Sequence, residues 1–510
     1  LAAPRSKWKT LIGAASNWTA FMATLAVAFF LTPLFVNKLG TAKYDVWCVV
    51  EAVLTYFTML DLGVAACLVR AIAGRSAKST EDLNRMVSSC LFLFLAAGGV
   101  ALVVGLPVLW ALAGSLEDKL AGDQGVWPFM LLMLVNVALT LPLSIFPAIL
   151  EGLEAFTTKS VIRIVALMVR TGGLVWCAYN GAEMFWLAVV YSVTLIVEHL
   201  AMAVACRVLL PGLEYHWRHI HRATLRQVRL YSLDAFLAMV ASRVCLQTGA
   251  IVVGVMLPTG QVTFFATAMR LVEYAKGMLR TLTATLSPNV SGLQARGDHA
   301  AITRLFLKGT TWALYAALPV QIGLLLFGSP FLARWVGPEF IAGCFPSLAI
   351  LCWMVATGIA QSVASRILYG TGELKWFARA ALVEAAMNIG LLCLLIGTFG
   401  LKGTAWAVTL PNVLNSLFVV TLTMRLLKVP MRAYFKACVV PVLFSSVLAF
   451  AWWSYGPVKP DYMAISIIVG VGLAGYAGAV AAWEGRNVWA CWRTKGWRWK
   501  LRTPVIGRAS

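Results

Sequence analysis

Leu39-Gly-Thr-Ala-Lys-Tyr-Asp-Val-Trp47 and Leu257-Pro-Thr-Gly-Gln-Val-Thr-Phe-Phe265 are weak copies of each other, 218 residues apart. Ile149-Leu-Glu-Gly152 and Ile367-Leu-Tyr-Gly370 stand at the same offset. Apolar helices share low-complexity sequence, so neither match means much alone; the common offset is what argues for a duplication. The chain around them is 60% hydrophobic and only 12% charged, far from the composition of soluble domains. Apolar runs of bilayer length recur along nearly all of it. Turn and charge breaks predict about fourteen helices, near 11–36, 44–73, 85–113, 126–150, 160–180, 184–209, 229–257, 261–288, 305–328, 340–369, 376–398, 402–424, 433–455 and 461–483. The first follows the basic stretch Arg5, Lys7, Lys9 and is too long for a signal-peptide core, so it reads as a retained helix.

The expected fold is therefore all-α and polytopic. Residues 1–210 form one six-helix lobe, 211–228 a basic linker and 229–430 a second lobe. Two further helices follow at 431–485, then a basic, Trp-rich tail at 486–510. Six is even, so both lobes enter the membrane from the same side. That makes them parallel repeats about an axis along the membrane normal, enclosing a central cavity. Alternate loops are rich in Lys and Arg, which predicts an inner (plasma) membrane protein with both termini cytoplasmic. The formal net charge of +21 lies largely in these short loops and in the tail. It reads as anchoring to anionic headgroups, not as nucleic-acid binding. The eleven cysteines are scattered through apolar helices without a CxxC, so they read as small core residues. His216, His219 and His221 have no Cys in their loop and read as a solvated loop, so no metal site or cofactor is expected.

Five cations lie where a bilayer-spanning helix should be apolar: Arg170, Arg243, Arg270, Lys276 and Arg280. Facing lipid, they would cost about 12–18 kcal/mol together, at roughly 2.5–3.5 kcal/mol each. They are therefore expected to face a protein interior or a watery cavity. Arg270, Glu273, Lys276 and Arg280 fall within a stripe about 120° wide on one helix. Glu273 can pair with its neighbours, yet a cationic surplus remains, so the stripe is assigned to a substrate cavity that accepts an anion. Arg243 and Gln247 share a face of the preceding helix. The offset brings Glu51 to the depth of Met269, beside Arg270, and sets Asn388 opposite Arg170. Glu51, Glu198, Glu273 and Glu384 are candidates for a proton or sodium site, or simply for ion-pair partners. Arg70, Asp61 and Arg366 lie near helix ends, where they can snorkel, and are set aside. No GxxxxGK[ST], HExxH or DxD-like acidic pair is present and no large exterior loop exists, which argues against an ATPase or an enzyme.

With these residues in view, the chain resembles the polysaccharide-biosynthesis (O-antigen and exopolysaccharide) flippases of the multidrug/oligosaccharidyl-lipid/polysaccharide exporter superfamily. The resembling passages are residues 39–47, Leu60-Asp-Leu-Gly63 with Arg70-Ala-Ile-Ala73, Ile149-Leu-Glu-Gly152, Leu368-Tyr-Gly-Thr-Gly-Glu373 and Phe399-Gly-Leu-Lys-Gly-Thr-Ala-Trp-Ala407. Tyr44-Asp45 departs from the family's usual Tyr-Gly. The resemblance implies two six-helix lobes around a cleft and a polyprenyl-diphosphate-linked oligosaccharide as substrate. It also suggests a polysaccharide polymerase and glycosyltransferases as partners and H+ or Na+ as a coupling ion. A lipid II flippase is the close alternative. A drug/cation antiporter fits the cationic surplus less well, and a membrane enzyme of polysaccharide synthesis is the reading of a different class.

Overall fold

The computed structural model describes residues 7–61, 63–73, 80–119, 126–212, 233–283, 286–371, 375–455 and 462–495. The chain runs through α1 (Lys7–Phe57), α2 (Val64–Ala73), α3 (Thr80–Lys119), α4 (Val126–Leu143), α5 (Ile145–Gly152), α6 (Phe156–Tyr179) and α7 (Met184–Leu209). It continues through α8 (Leu233–Met256), α9 (Gln261–Thr283), α10 (Leu286–Ala295), α11 (His299–Trp335), α12 (Glu339–Gly343), α13 (Phe345–Leu351) and α14 (Trp353–Thr371). The last elements are α15 (Lys375–Leu426), α16 (Met431–Tyr455) and α17 (Tyr462–Lys495). Among the described residues there is no strand. Ten helices there are long and apolar enough to cross a membrane, and Val240–Met256 is a shorter apolar helix.

Two of these helices each contain a break. Gly40 inside α1 and Gly400 inside α15 hold φ of 80° and 54° with non-helical ψ, conformations that side-chain-bearing residues adopt only with strain. The chain thereby reverses without a long loop. Several predicted boundaries move for similar local reasons. The helix predicted over 44–73 ends at Phe57, passes through a short 3-10 turn at Thr58–Asp61 and restarts after Gly63, whose φ is 77°. The helix predicted over 305–328 begins earlier, because Asp298 caps it by accepting from the Ala301 N–H at 2.9 Å. The helix predicted over 340–369 is split into α12, α13 and α14, and the Gln321 side chain supports the last break by accepting from the Ala356 N–H at 3.2 Å.

Helices before residue 210 pack largely on one another, α3 on α4, α1 on α6, and α4 and α6 on α7. Those after 233 do likewise, α8 on α15, α11 on α14, and α14 on α15. The two sets meet where α1 lies against α8 and α9. The two terminal helices are an addition to the second set. α16 packs along α11, and α17 is held by Tyr476, whose hydroxyl donates to the Tyr315 carbonyl at 3.1 Å. The histidines at 216, 219 and 221 and the basic linker around them lie outside the described residues, as do the end of the Trp-rich tail and the Arg70 side chain. Cys48, Cys90, Cys177, Cys206, Cys245, Cys344 and Cys352 are buried free thiols.

Candidate functional site

The site is built around α9, which follows the second copy of the repeated segment. Its N-terminus is anchored by Asp45, a carboxylate only 2% exposed on α1. Asp45 accepts from the Gly260 N–H at 2.5 Å, the Thr263 N–H at 2.7 Å and the Thr263 hydroxyl. A helix N-terminus presents unsatisfied N–H groups and positive potential, so an anion is the group it favours. Gly260 holds φ +90°, with Thr41 of α1 beside it, so a glycine suits both the backbone and the close approach. Asp45 and Thr263 are themselves 218 residues apart.

About two turns along α9 from Thr263, Arg270 reaches back to α1. Its guanidinium donates to the Tyr44 hydroxyl and lies 3.0 Å from the Glu51 carboxylate and 3.8 Å from the Cys48 sulfur. Below it, Glu273 faces two cations of its own helix, Lys276 at 3.0 Å and Arg280 at 3.4 Å. Lys276 is buried and lies along α14 at Gly358, where a Cβ would stand 3.3 Å from its Cε. The sequence-predicted stripe is thus one charged ridge.

The ridge divides two chambers. The first, of about 270 Å³, lies between the two helix sets and is lined by Glu51, Arg243, Gln247, Arg270 and Glu273. The second, of about 400 Å³, is walled only by residues 242–415 and holds Lys276, Arg280, Arg366, Glu384, Asn412 and Asn415. Arg366, which a helix-end position led the sequence reading to set aside, shares this chamber with Lys276 and Arg280. Neither Arg366 nor Arg243 has a carboxylate within ion-pair distance among the described residues.

Glu384 differs from the other three candidate carboxylates. Glu51, Glu198 and Glu273 each face a cation, whereas Glu384 accepts from the amides of Asn412 at 2.7 Å and Asn415 at 2.5 Å. The Oδ1 atoms of both asparagines are buried without a hydrogen-bond partner. Asn388 donates to the Ala407 carbonyl at 3.2 Å and leaves its own Oδ1 without one.

Arg170 belongs to neither chamber. It bridges α6 and α7, 2.6 Å from Glu198 and 3.2 Å from the Thr194 hydroxyl, with its guanidinium 5.2 Å from the Tyr191 ring centre. A largely buried guanidinium bonded to side chains of the next helix can hold the two helices together. Arg170→Met should therefore leave Glu198 buried alone and destabilise the fold by about 3–5 kcal/mol. Adding Glu198→Met should return most of that loss. Thermal unfolding of the single and double variants checks this, and equal melting of Arg170→Met and wild type would contradict it.

Among the described residues, these features define a multi-pass, helical membrane protein. A solved lipid II flippase, MurJ, in an inward closed conformation, has the same fold at a TM-score of 0.73 and 14% identity, with 94% of this chain and all of that one covered. A multidrug resistance MATE transporter in an inward-facing conformation follows at 0.66 and 16%, covering 81% and 98%. The chain belongs to the family described as polysaccharide biosynthesis protein, whose model matches residues 11–294. Among relatives, the uncharacterized membrane protein EpsK of Bacillus subtilis is 21% identical over 459 residues, 87% of this chain and 88% of that protein. A probable low-salt glycan biosynthesis flippase, Agl15 of Haloferax volcanii, is 24% identical over 168 residues, 32% of this chain and 35% of that one.

Proposed function

We propose that this protein moves a polyprenyl-diphosphate-linked oligosaccharide across the membrane, from the cytoplasmic to the outer leaflet. The observation that carries the reading is the ridge of Arg270, Lys276 and Arg280 between two chambers, with Arg243 and Arg366 on the facing walls. Diphosphate is anionic and planar guanidinium groups match its oxygens in bidentate fashion. The head group crosses through the cleft while the polyprenyl tail stays in lipid. The two halves, residues 1–210 and 229–430, act as lobes that rock about the cleft, with 431–485 appended to the second. Both termini are cytoplasmic, following the basic loops. Membership of a polysaccharide biosynthesis family and the naming of Agl15 as a probable glycan flippase support an oligosaccharide cargo. Depletion of the protein should accumulate lipid-linked oligosaccharide on the cytoplasmic leaflet; unchanged leaflet distribution would remove the reading.

Movement is coupled to a monovalent cation, H+ or Na+, at Glu384. A carboxylate held by two amides, beside acceptor oxygens with no donor, suits a cation better than a fixed ion pair does. Glu384→Gln is expected to abolish the dependence of transport on the ion gradient while the folded yield is retained. Gradient-driven transport by this variant equal to wild type would rule Glu384 out as the coupling group.

A further inference from the structure

Glu273 occupies the anion site of its own protein. Its carboxylate lies against Lys276 and Arg280, the two ridge cations of the larger chamber, yet the residue itself lines the smaller one. It therefore stands at the wall between the chambers, a single negative charge shared by two positive ones. Resting on the diphosphate reading above, we propose that Glu273 is a tethered surrogate anion that selects cargo by charge: a substrate binds Lys276 and Arg280 only by displacing it.

The physical argument is one of competition. A carboxylate on the same helix is present at the cations at an effective concentration of at least about millimolar, because the tether removes the entropy of encounter. A small monovalent anion offers no more charge than the carboxylate it must expel, so it gains little by exchange. A diphosphate brings two or more charges and several acceptor oxygens, and it can neutralise both cations together. The displaced carboxylate has a place to go. Arg243 lines the smaller chamber with Glu273 and has no carboxylate within ion-pair distance among the described residues. Exchange thus swings Glu273 from one chamber toward the other, and no bare charge is left in a low-dielectric interior. The charged groups around it are Lys276, Arg280 and Arg270 on α9, Arg243 on α8 and, across the smaller chamber, Glu51 on α1, which is itself paired with Arg270. On this account Glu273 sets specificity, keeping abundant cellular anions out of a strongly cationic cavity. A purely structural ion pair would do none of this.

The test measures binding of inorganic pyrophosphate and monophosphate to the purified full-length protein by calorimetry, for wild type and Glu273→Gln. Wild type is expected to prefer pyrophosphate strongly. Glu273→Gln should bind monophosphate about tenfold tighter or more, within the usual range of coupling between sites, so that the preference shrinks. Adding Arg280→Gln to that variant should remove the gain, which locates it at the ridge. If Glu273→Gln does not purify, Glu273→Asp, with its carboxylate drawn back by one methylene, should show a smaller change of the same sign. Unchanged or weaker monophosphate binding by the Glu273 variant would overturn the proposal while leaving the diphosphate site standing. Failure of wild type and variant alike to bind pyrophosphate would instead overturn the diphosphate reading, and this inference with it.

Discussion

Arg270→Gln is expected to lower transport by roughly thirtyfold to several thousandfold while the protein still inserts and folds. Truncating one partner of a buried hydrogen-bonded charge pair, here the guanidinium and the proposed diphosphate, costs about 2–5 kcal/mol, and each 1.4 kcal/mol is a factor of ten. Arg270 is the one ridge cation whose ion pair reaches the other half of the chain, through Glu51 and the Tyr44 hydroxyl. Its removal therefore takes a charge from the cavity and a strut from between the halves. Glu51 is half-exposed, so it can be solvated once left alone, and the fold should survive. Arg270→Lys should keep part of the activity, because a point charge replaces a fork that serves a hydroxyl and a carboxylate together. Transport assayed beside folded yield checks both. Full transport by Arg270→Gln would take α9 out of the mechanism.

The second large effect concerns Asp45. Asp45→Ala takes the acceptor away from two N–H groups and one hydroxyl at the start of α9. Hydrogen bonds to a charged group contribute about 1.5–3 kcal/mol each. Water recovers much of this once the halves part, so a net loss of about 3 kcal/mol is expected for the closed arrangement, a shift of about a hundredfold in population. Spin labels at Lys38 and Thr259, both exposed and flanking the clasp, should report a longer distance in Asp45→Ala. Asp45→Asn, which keeps one acceptor oxygen, should fall between. A distance distribution identical to wild type would show that the clasp does not hold the halves together.

Asp45 also shows where the sequence stops being informative. Its position in the repeated segment was legible, but beside the family's Tyr-Gly it read only as a departure. The available signal was a lone carboxylate in an apolar stretch, whose copy 218 residues on begins a helix. Glu51 and Arg270 were legible as opposite charges at one depth, because the repeat offset carries depth along with sequence. Arg170 was not separable from them, since an unpaired charge in an apolar helix looks the same whether its partner sits across a cavity or on the next helix. Here Glu198 of the neighbouring helix lies 2.6 Å from it, a pairing that favours the second arrangement. Arg366 was lost for the opposite reason: a helix-end arginine can snorkel, and only packing shows that this one lines a chamber. The breaks at Gly40, Gly63 and Gly400 are local backbone conformations that hydropathy does not register.

The central claim is transbilayer movement of an anionic lipid-linked glycan through the cationic cleft. Its most direct test is reconstitution of the purified protein into vesicles that carry a polyprenyl-diphosphate oligosaccharide in one leaflet. The fraction reaching the other leaflet is followed under an imposed ion gradient. The account predicts rapid redistribution with wild type, little with Arg270→Gln, and recovery of the lipid chemically unchanged. Redistribution no faster than in protein-free vesicles, or conversion of the lipid to a new covalent product, would contradict it.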